Sequence, residues 1–417
     1  MLGLVDGNNF FVSCERVFNP RLQGKPVAVL SNNDGCVVSR SNEFKALNIP
    51  MGTPYFQLKP IVKTHGLVLL SSNYELYADL SRRVISALQE FAGDVIQYSI
   101  DEAFIVGFPV PDDQLEDYGK TIRKAILQWL GIPTGIGFAP TKTLAKIANH
   151  IGKKSPSGVF VMPADTRPIL ERLPLDEVWG IGHRLAPKLQ ALGYRSAWQL
   201  ASRAPGDIRD EFGVNLARTV LELQGISAIP DDDPEALSQS ISCSRSFGHP
   251  VTAFAELAES VAHYTAKSAE KLRHERQTAR GLNIYFQYFP EYEPAVLSGG
   301  YTSTTVMFPR PLDDTATILK TITPHLPRLF LPKRRYKKSG VVFFGLEPRD
   351  KPQGELFAAD TPPDASRLSQ TVDSINRRFG RGTLFSLSEG IDRAWAMKRE
   401  LMTPAYTTRW NQLLEVK

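Results

Sequence analysis

The chain predicts an α+β, multidomain fold whose first domain is a ferredoxin-like βαββαβ unit, and three observations carry that expectation. Over its first third, apolar runs and amphipathic stretches follow one another as strand, helix, strand, strand, helix, strand. Acids stand at two of the strand ends, Asp6 and the adjacent pair Asp101-Glu102. Beyond an acidic, proline-bounded linker the same order of elements recurs.

The elements of the first unit are a strand at Leu2 to Val5, a helix from about Tyr74 to Phe91, and strands at Asp94 to Ser99 and Ala103 to Phe108. A helix from about Gln114 to Trp129 and a strand at Thr134 to Phe138 complete it. In this topology the third strand lies between the first two and antiparallel to both, so the end of the Asp6 strand lies beside the start of the strand led by Asp101. A carboxylate pair at a strand start is ordinarily a solvated turn. Three converging acids repel one another unless a cation neutralises them, and oxygen donors without His or Cys select a hard ion such as Mg²⁺. The cluster reads as a two-metal phosphoryl-transfer site.

The bulk properties set few limits. At 417 residues the chain has room for three or four domains, and a net charge of +5 permits nucleic-acid binding without demonstrating it. Cys14, Cys36 and Cys243 are too few and too scattered for a disulfide framework or a zinc site, which points to a reducing compartment. Met1 leads straight into a strand, and no apolar stretch approaches the length of a bilayer span. A cytosolic, soluble protein with no membrane contact is expected.

From about Asn19 to Ser72 the chain leaves the βαββαβ plan as an inserted subdomain. It has strands at Pro26 to Leu30 and Cys36 to Ser39 around a tight turn at Asn33-Asp34-Gly35, then a short helix at Ser41 to Leu47. Spacing alone leaves two readings of Arg40 and Lys45: solvated surface charges, or cations set against a triphosphate. After the last strand, Thr141 is a good N-cap and Lys146 falls in the second turn of a helix near the acids, sharing a face with Lys142. Lys153-Lys154 read as solvent-facing.

Pro168 to Gly225 has the period of several short helices. Within it Gly180-Ile181-Gly182 lets the backbone approach closely between two helices, a helix-hairpin-helix pattern suited to a nucleic-acid phosphate. The linker Pro230 to Glu235 leads to the second βαββαβ set: Ile241 to Phe247, Phe254 to Arg276, Leu282 to Phe289, Tyr301 to Phe308, Ala316 to Leu326 and Gly340 to Leu346. No acid pair sits at its strand joint. Arg245, Arg273, Arg276 and Arg280 flank its strands instead, and Lys333-Arg334-Arg335-Tyr336-Lys337-Lys338 precedes the last one. A charge run is usually a solvated face, but the interleaved Tyr336 adds weight to nucleic-acid backbone contact.

The tail from about Pro348 is rich in Pro and Asp and recovers order around Thr383 to Trp395. Gln353-Gly354-Glu355-Leu356-Phe357 has nothing local to bury against and reads as a docking peptide.

Together Asp6 with Phe10-Phe11, Ser99 to Phe104, Thr141 to Ala148, Gly180-Ile181-Gly182 and Ser244 to Gly248 resemble the Y-family translesion DNA polymerases. Ser71 to Asp79, and Met397 to Arg399 with Tyr406 to Thr408, are similar to its UmuC-like branch. The resemblance implies a palm over 1–165 with fingers inserted at about 19–72, a helical thumb over 166–229, a linker over 230–239, a little finger over 240–347 and a partner-binding region over 348–417. It implies an error-prone DNA-directed DNA polymerase of the SOS response. Asp6, Asp101 and Glu102 with the Gly7 carbonyl would hold two Mg²⁺ ions, Phe11 would be the steric gate, and Arg40, Lys45 and Lys146 would grip the dNTP. Gly180, Gly182, Arg245, Lys333, Arg334 and Arg335 would contact primer-template DNA. Gln353, Leu356 and Phe357 resemble the peptide that docks on the sliding clamp, with Gly354 where Leu is common. Trp395, Tyr406 and Trp410 would receive a cleaved UmuD-like dimer, a RecA filament would be a further partner, and the location would be cytoplasmic and nucleoid-associated. Asn42 and Lys45 stand where many members carry a Tyr and an Arg, which removes a bidentate fork. A nucleotidyl cyclase would have no use for the hairpin or the basic module. A non-catalytic nucleic-acid-binding tandem would have no reason to gather the acids.

Overall fold

The computed structural model describes residues 1–231, 237–290, 300–349 and 364–414. The chain forms two compact units: Met1–Asp232 together with Leu401–Lys417, and Asp233–Glu400.

In the first unit a five-stranded sheet runs, edge to edge, Asp94–Gln97, Glu102–Val106, Leu2–Gly7, Thr134–Ala139 and Val159–Val161. Its first four strands have the expected order, and the fifth, a parallel edge strand, is an addition. The central strand pairs Asp6 with Glu102 and Gly7 with Thr134 in its antiparallel registers. Helices Tyr74–Leu88 and Leu115–Leu130 bury their apolar stripes, the second through Leu115, Ile122 and Ile126 at helical spacing. Helix Lys142–Gly152 lies unusually close to the strand Thr134–Ala139. A Cβ on Gly137 would sit 2.1 Å from the Asn149 amide nitrogen, so only glycine permits this approach. Asn149 then ties the helix down, donating to the carbonyls of Leu4 and Gly135. That contact fixes where Lys146 emerges.

The insertion is a separate three-stranded sheet, Val37–Arg40, Val27–Leu30 and Val68–Ser71, the last strand parallel to its neighbour and not anticipated. Its turn is a 3₁₀ turn over Asn32–Asp34, with Asn33 at φ +59°, rather than a plain hairpin. Ser41 caps the short helix Asn42–Lys45 by accepting from Phe44 N–H. Five short helices between Arg167 and Leu223 share a core with helix Lys142–Gly152 through Leu144, Leu170, Ile181, Leu189 and Val220.

The second unit is a four-stranded antiparallel sheet ordered Tyr301–Leu312, Gln277–Tyr288, Tyr336–Pro348, Ile241–Val251. Its element order is βαββαβ, as expected. Its strand order is not that of the first unit, because the last strand here pairs with both the first and the second. Helices Phe254–His274 and Thr315–Ile322 contribute Leu257, Val261, Leu272, Ile318 and Ile322 to its core.

The tail is not one free-standing region. Helix Asp364–Phe379, unforeseen in the sequence, joins the second unit through an Arg273–Asp373 ion pair at 2.6 Å. Trp395 is buried there against Phe247 and Tyr264. Residues from Leu401 onward belong to the first unit. Gln353, Leu356 and Phe357 lie outside the described residues.

Candidate active site

The centre of the first unit is a strand end and a turn. Gly7 N–H donates to the Asp101 carbonyl at 2.9 Å, which joins the end of the Leu2–Gly7 strand to the turn before Glu102–Val106. Ser99 shapes that turn: its hydroxyl donates to Asp101 Oδ1 at 2.7 Å and accepts from the amides of Asp101 and Glu102. Asp6 and Glu102 stand opposite one another across the strand pair, with Asp101 next in the chain. The backbone thus puts the three acids at one sheet end.

Each of the two facing acids has an ammonium partner. Lys146 Nζ lies 2.9 Å from Glu102 Oε1 and 3.0 Å from Oε2, and also sits over the rings of Tyr98 and Trp179 at 4.7 and 5.0 Å. Lys153 Nζ lies 2.6 Å from Asp6 Oδ2. Lys153 and Lys154 are both exposed, as expected, but Lys153 follows the helix that Gly137 draws onto the sheet and its ammonium also reaches the acids. Lys142, expected to share the site face with Lys146, instead reaches Pro230 O and Asp231. Burial pushes the Asp6 carboxyl up to about 6; Lys153 opposes this and the charges of Glu102 and Asp101 add to it. Burial outweighs the ion pair because only one cation replaces the lost hydration.

Lys45 belongs to the same field. Its ammonium is held below its ordinary value by burial and then by Arg40 and Lys153, with Asp6 acting the other way. Arg40 Nη1 is 2.5 Å from the Ile49 carbonyl, so part of this guanidinium is spent on the insertion's own backbone. Asn42 Oδ1 accepts from Asn9, at the left-handed residue that opens helix Phe10–Phe18.

Phe11, on that helix, is partly exposed and framed by rings. It stacks on Tyr77 at 4.5 Å and 12° and meets Tyr74 edge-on at 5.8 Å. Glu15, fully buried one turn further along, is a residue that sequence reasoning missed. The signal for it is an acid in line with Phe11 and Phe18 at helical spacing.

Among the described residues no three His, Cys, Asp or Glu side chains come close enough to hold one metal ion. The donor chemistry nonetheless suits a hard divalent cation. All the donors are oxygens, Asp6 resists ionisation in the presence of its neighbours, and Lys146 and Lys153 set positive charge against Glu102 and Asp6.

Elsewhere, Gly180 adopts φ +87° and a Cβ on Gly182 would meet nothing within 4 Å, so both glycines present open backbone. In the second unit Arg245, Lys333 and Arg335 are exposed, and Arg334 lies over the ring of Tyr288 at 5.2 Å. Tyr336 is not among the exposed side chains. It is fully buried with its hydroxyl on the Leu331 backbone, and so lends nothing to nucleic-acid contact. Arg273 is consumed by Asp373, and Arg280 pairs with Glu347. Of the three tail aromatics, Trp395 is core, Tyr406 stacks on Phe18, and Trp410 alone is 89% exposed.

The impB/mucB/samB family pattern matches residues 5–150, its C-terminal domain 238–356 and its HHH motif 163–194, while a domain of unknown function matches 366–416. Protein UmuC of Salmonella typhimurium is 40% identical over 427 residues, with 100% of both chains covered. The chain belongs to the impB/mucB/samB family. Within this family, protein MucB of Escherichia coli is 36% identical, with 99% of each chain covered. DNA polymerase IV 1 of Bacillus subtilis is 28% identical over 90% of each chain. Among solved structures, a Y-family DNA polymerase chimera superposes with a TM-score of 0.64 at 21% identity, covering 83% of this chain and 99% of its own. The impB/mucB/samB chain therefore has the fold of those polymerases.

Proposed function

We propose that this chain is a template-directed DNA polymerase of the error-prone translesion type, which adds dNTPs to a primer 3′-hydroxyl opposite damaged template in the bacterial SOS response. The observation that carries this reading is the meeting of Asp6, Asp101 and Glu102 at one sheet end, with Lys45, Lys146 and Lys153 around them. Its family relatives named as DNA polymerases support it.

Asp6, Asp101 and Glu102, with the Gly7 carbonyl, would hold two Mg²⁺ ions, which supply charge neutralisation and lower the pKa of the primer hydroxyl. The protein's own groups do the rest. Lys146 and Lys45, with Arg40, bind the triphosphate as point charges, and Lys146 exchanges Glu102 for phosphate oxygen as the nucleotide arrives. Phe11 lies under the sugar, with no group to pair with a 2′-hydroxyl. Gly180, Gly182, Arg245, Lys333, Arg334 and Arg335 contact the primer-template backbone.

We assign three further partners. Gln353, Leu356 and Phe357 would dock on the sliding clamp. Trp410, with the exposed Leu413 and Leu414, would face a cleaved UmuD-like dimer. A RecA filament would be the third, consistent with a cytoplasmic, nucleoid-associated protein. No helix among the described residues is long and apolar enough to cross a membrane.

Primer extension with and without Mg²⁺ tests the reading. Template-directed extension that requires the metal is the expected result. Template-independent consumption of nucleotide would favour a cyclase, and binding without turnover a non-catalytic nucleic-acid-binding protein.

A further inference from the structure

Helix Phe10–Phe18 carries Phe11, Glu15 and Phe18 on one stripe, and each is held by a residue far away in the chain. Phe11 stacks on Tyr77. Tyr77, fully buried, donates its hydroxyl to Glu15 Oε1 at 2.7 Å. The same oxygen accepts a second hydrogen bond, at 3.1 Å, from the hydroxyl of Thr403 near the end of the chain. Phe18 stacks on Tyr406 with centroids 4.9 Å apart.

The returning segment is firmly seated. Ser71 N–H donates to Leu401 O at 3.0 Å, and Leu401 N–H donates to Ser71 Oγ at 2.9 Å. Asn73, which caps helix Tyr74–Leu88 through its side-chain oxygen, uses its amide nitrogen on Thr403 O, Thr403 Oγ1 and Pro404 O. Glu15 Oε2 is buried without a partner among the described residues, so the carboxyl is oriented by Tyr77 and Thr403 through its other oxygen.

We infer that residues Leu401 to Tyr406 are positioning residues for sugar discrimination, with Thr403 holding Phe11 in place through Glu15 and Tyr77. This rests on the reading of Phe11 as the sugar gate of a polymerase. Two nearly parallel rings resist compression but slide easily, so the lateral position of Phe11 depends on what anchors Tyr77. A shift of about 1 Å is enough to change which sugar fits. The anchor is a hydrogen-bonded carboxyl whose second donor comes from the tail. The tail segment that matches a domain of unknown function therefore acts on substrate choice without touching substrate.

The test measures kcat/KM for a ribonucleotide and the matching deoxyribonucleotide in the full-length chain. Thr403→Val is expected to raise the ribo-to-deoxyribo ratio about two- to ten-fold, the range of one lost hydrogen bond. Thr403→Ser should restore the parent ratio, and Thr403→Val should add nothing in a Phe11→Ala background, since it acts through that ring. An unchanged ratio in Thr403→Val, with or without a lower melting temperature, overturns the inference. So does an equal shift in the Phe11→Ala background. If Phe11→Ala itself leaves the ratio unmoved, the gate assignment fails and takes the inference with it. A parent chain that extends no primer rejects the polymerase reading instead, and the inference with it.

Discussion

Lys153 places its ammonium 2.6 Å from the carboxylate of Asp6, while Lys146, seven residues earlier, lies 2.9 Å from that of Glu102. Seven residues is two helical turns, so both cations project from one side of the segment that Gly137 lets against the sheet. Two of the three acids are thus each paired with an ammonium group of the protein itself. A divalent ion has to displace ammonium groups, and its binding should leave a trace in stability.

We expect Mg²⁺ to raise the melting temperature of the parent, since a ligand that binds only the folded state at ten times its dissociation constant adds about 1.4 kcal/mol. Asp6→Asn should abolish this shift. Lys153→Met should enlarge it, because the ion then meets an uncompensated acid. A smaller shift in Lys153→Met than in the parent would show that the lysine helps rather than competes.

Asp101→Asn is expected to lower nucleotide incorporation by about 10³-fold or more, the scale of several kcal/mol of transition-state stabilisation. Primer-template affinity should hold, since it is assigned to other residues. Single-turnover extension alongside a DNA-binding titration separates the two. Near-parent extension would remove Asp101 from the reaction.

The fold of the first unit was legible because each strand is a dense apolar run and each helix keeps its period, so the order of elements was enough to bring Asp6 to Glu102. The pairing of Lys153 with Asp6 was not legible: it depends on how closely a helix lies on a sheet, which Gly137 permits, and on Gly135, where a Cβ would sit 2.7 Å from Lys153 Cγ. Tyr336 was misread because a ring inside a basic run looks the same in sequence whether it points to solvent or to core. The strand order of the second unit was hidden for a different reason, since the pairing of its last strand with its first spans about a hundred residues. Glu15 and Thr403 lie even further apart, and neither has a local pattern that announces the other.

Replacing Lys333, Arg334, Arg335, Lys337 and Lys338 by Ala while keeping the buried Tyr336 should weaken DNA binding. It should also flatten the dependence of log affinity on log salt by about 0.9 for each phosphate no longer neutralised. Titrations at several salt concentrations measure the slope. A parallel line with lower affinity would mean that the variant has lost structure and that these cations neutralise no phosphate.

Burial raises the Glu15 carboxyl above its ordinary value, and the Tyr77 and Thr403 hydroxyls oppose this. A raised value in the folded state means that the folded chain binds this proton more tightly than the unfolded chain. The associated stability is complete below the ordinary carboxylate range and is lost as pH rises through the raised value. Glu15→Gln keeps an acceptor for both hydroxyls and cannot ionise, so it should lose less stability than the parent between about pH 5 and pH 8. Melting curves at both pH values give the comparison, and identical losses would take Glu15 out of the linkage.

The first 232 residues and those from Leu401 onward make one unit, with the second unit's residues between them in the chain. Protein domains ordinarily fold in the order in which the ribosome releases them. Here Ser71, Asn73 and Glu15 meet Leu401 and Thr403, partners that are made some 330 residues after Asn73. A prematurely terminated product would carry every acid of the candidate active site yet lack the segment that seats Glu15. The acids and the segment that orients Glu15 thus lie on opposite sides of the second unit in the chain, and neither part alone makes up the first unit.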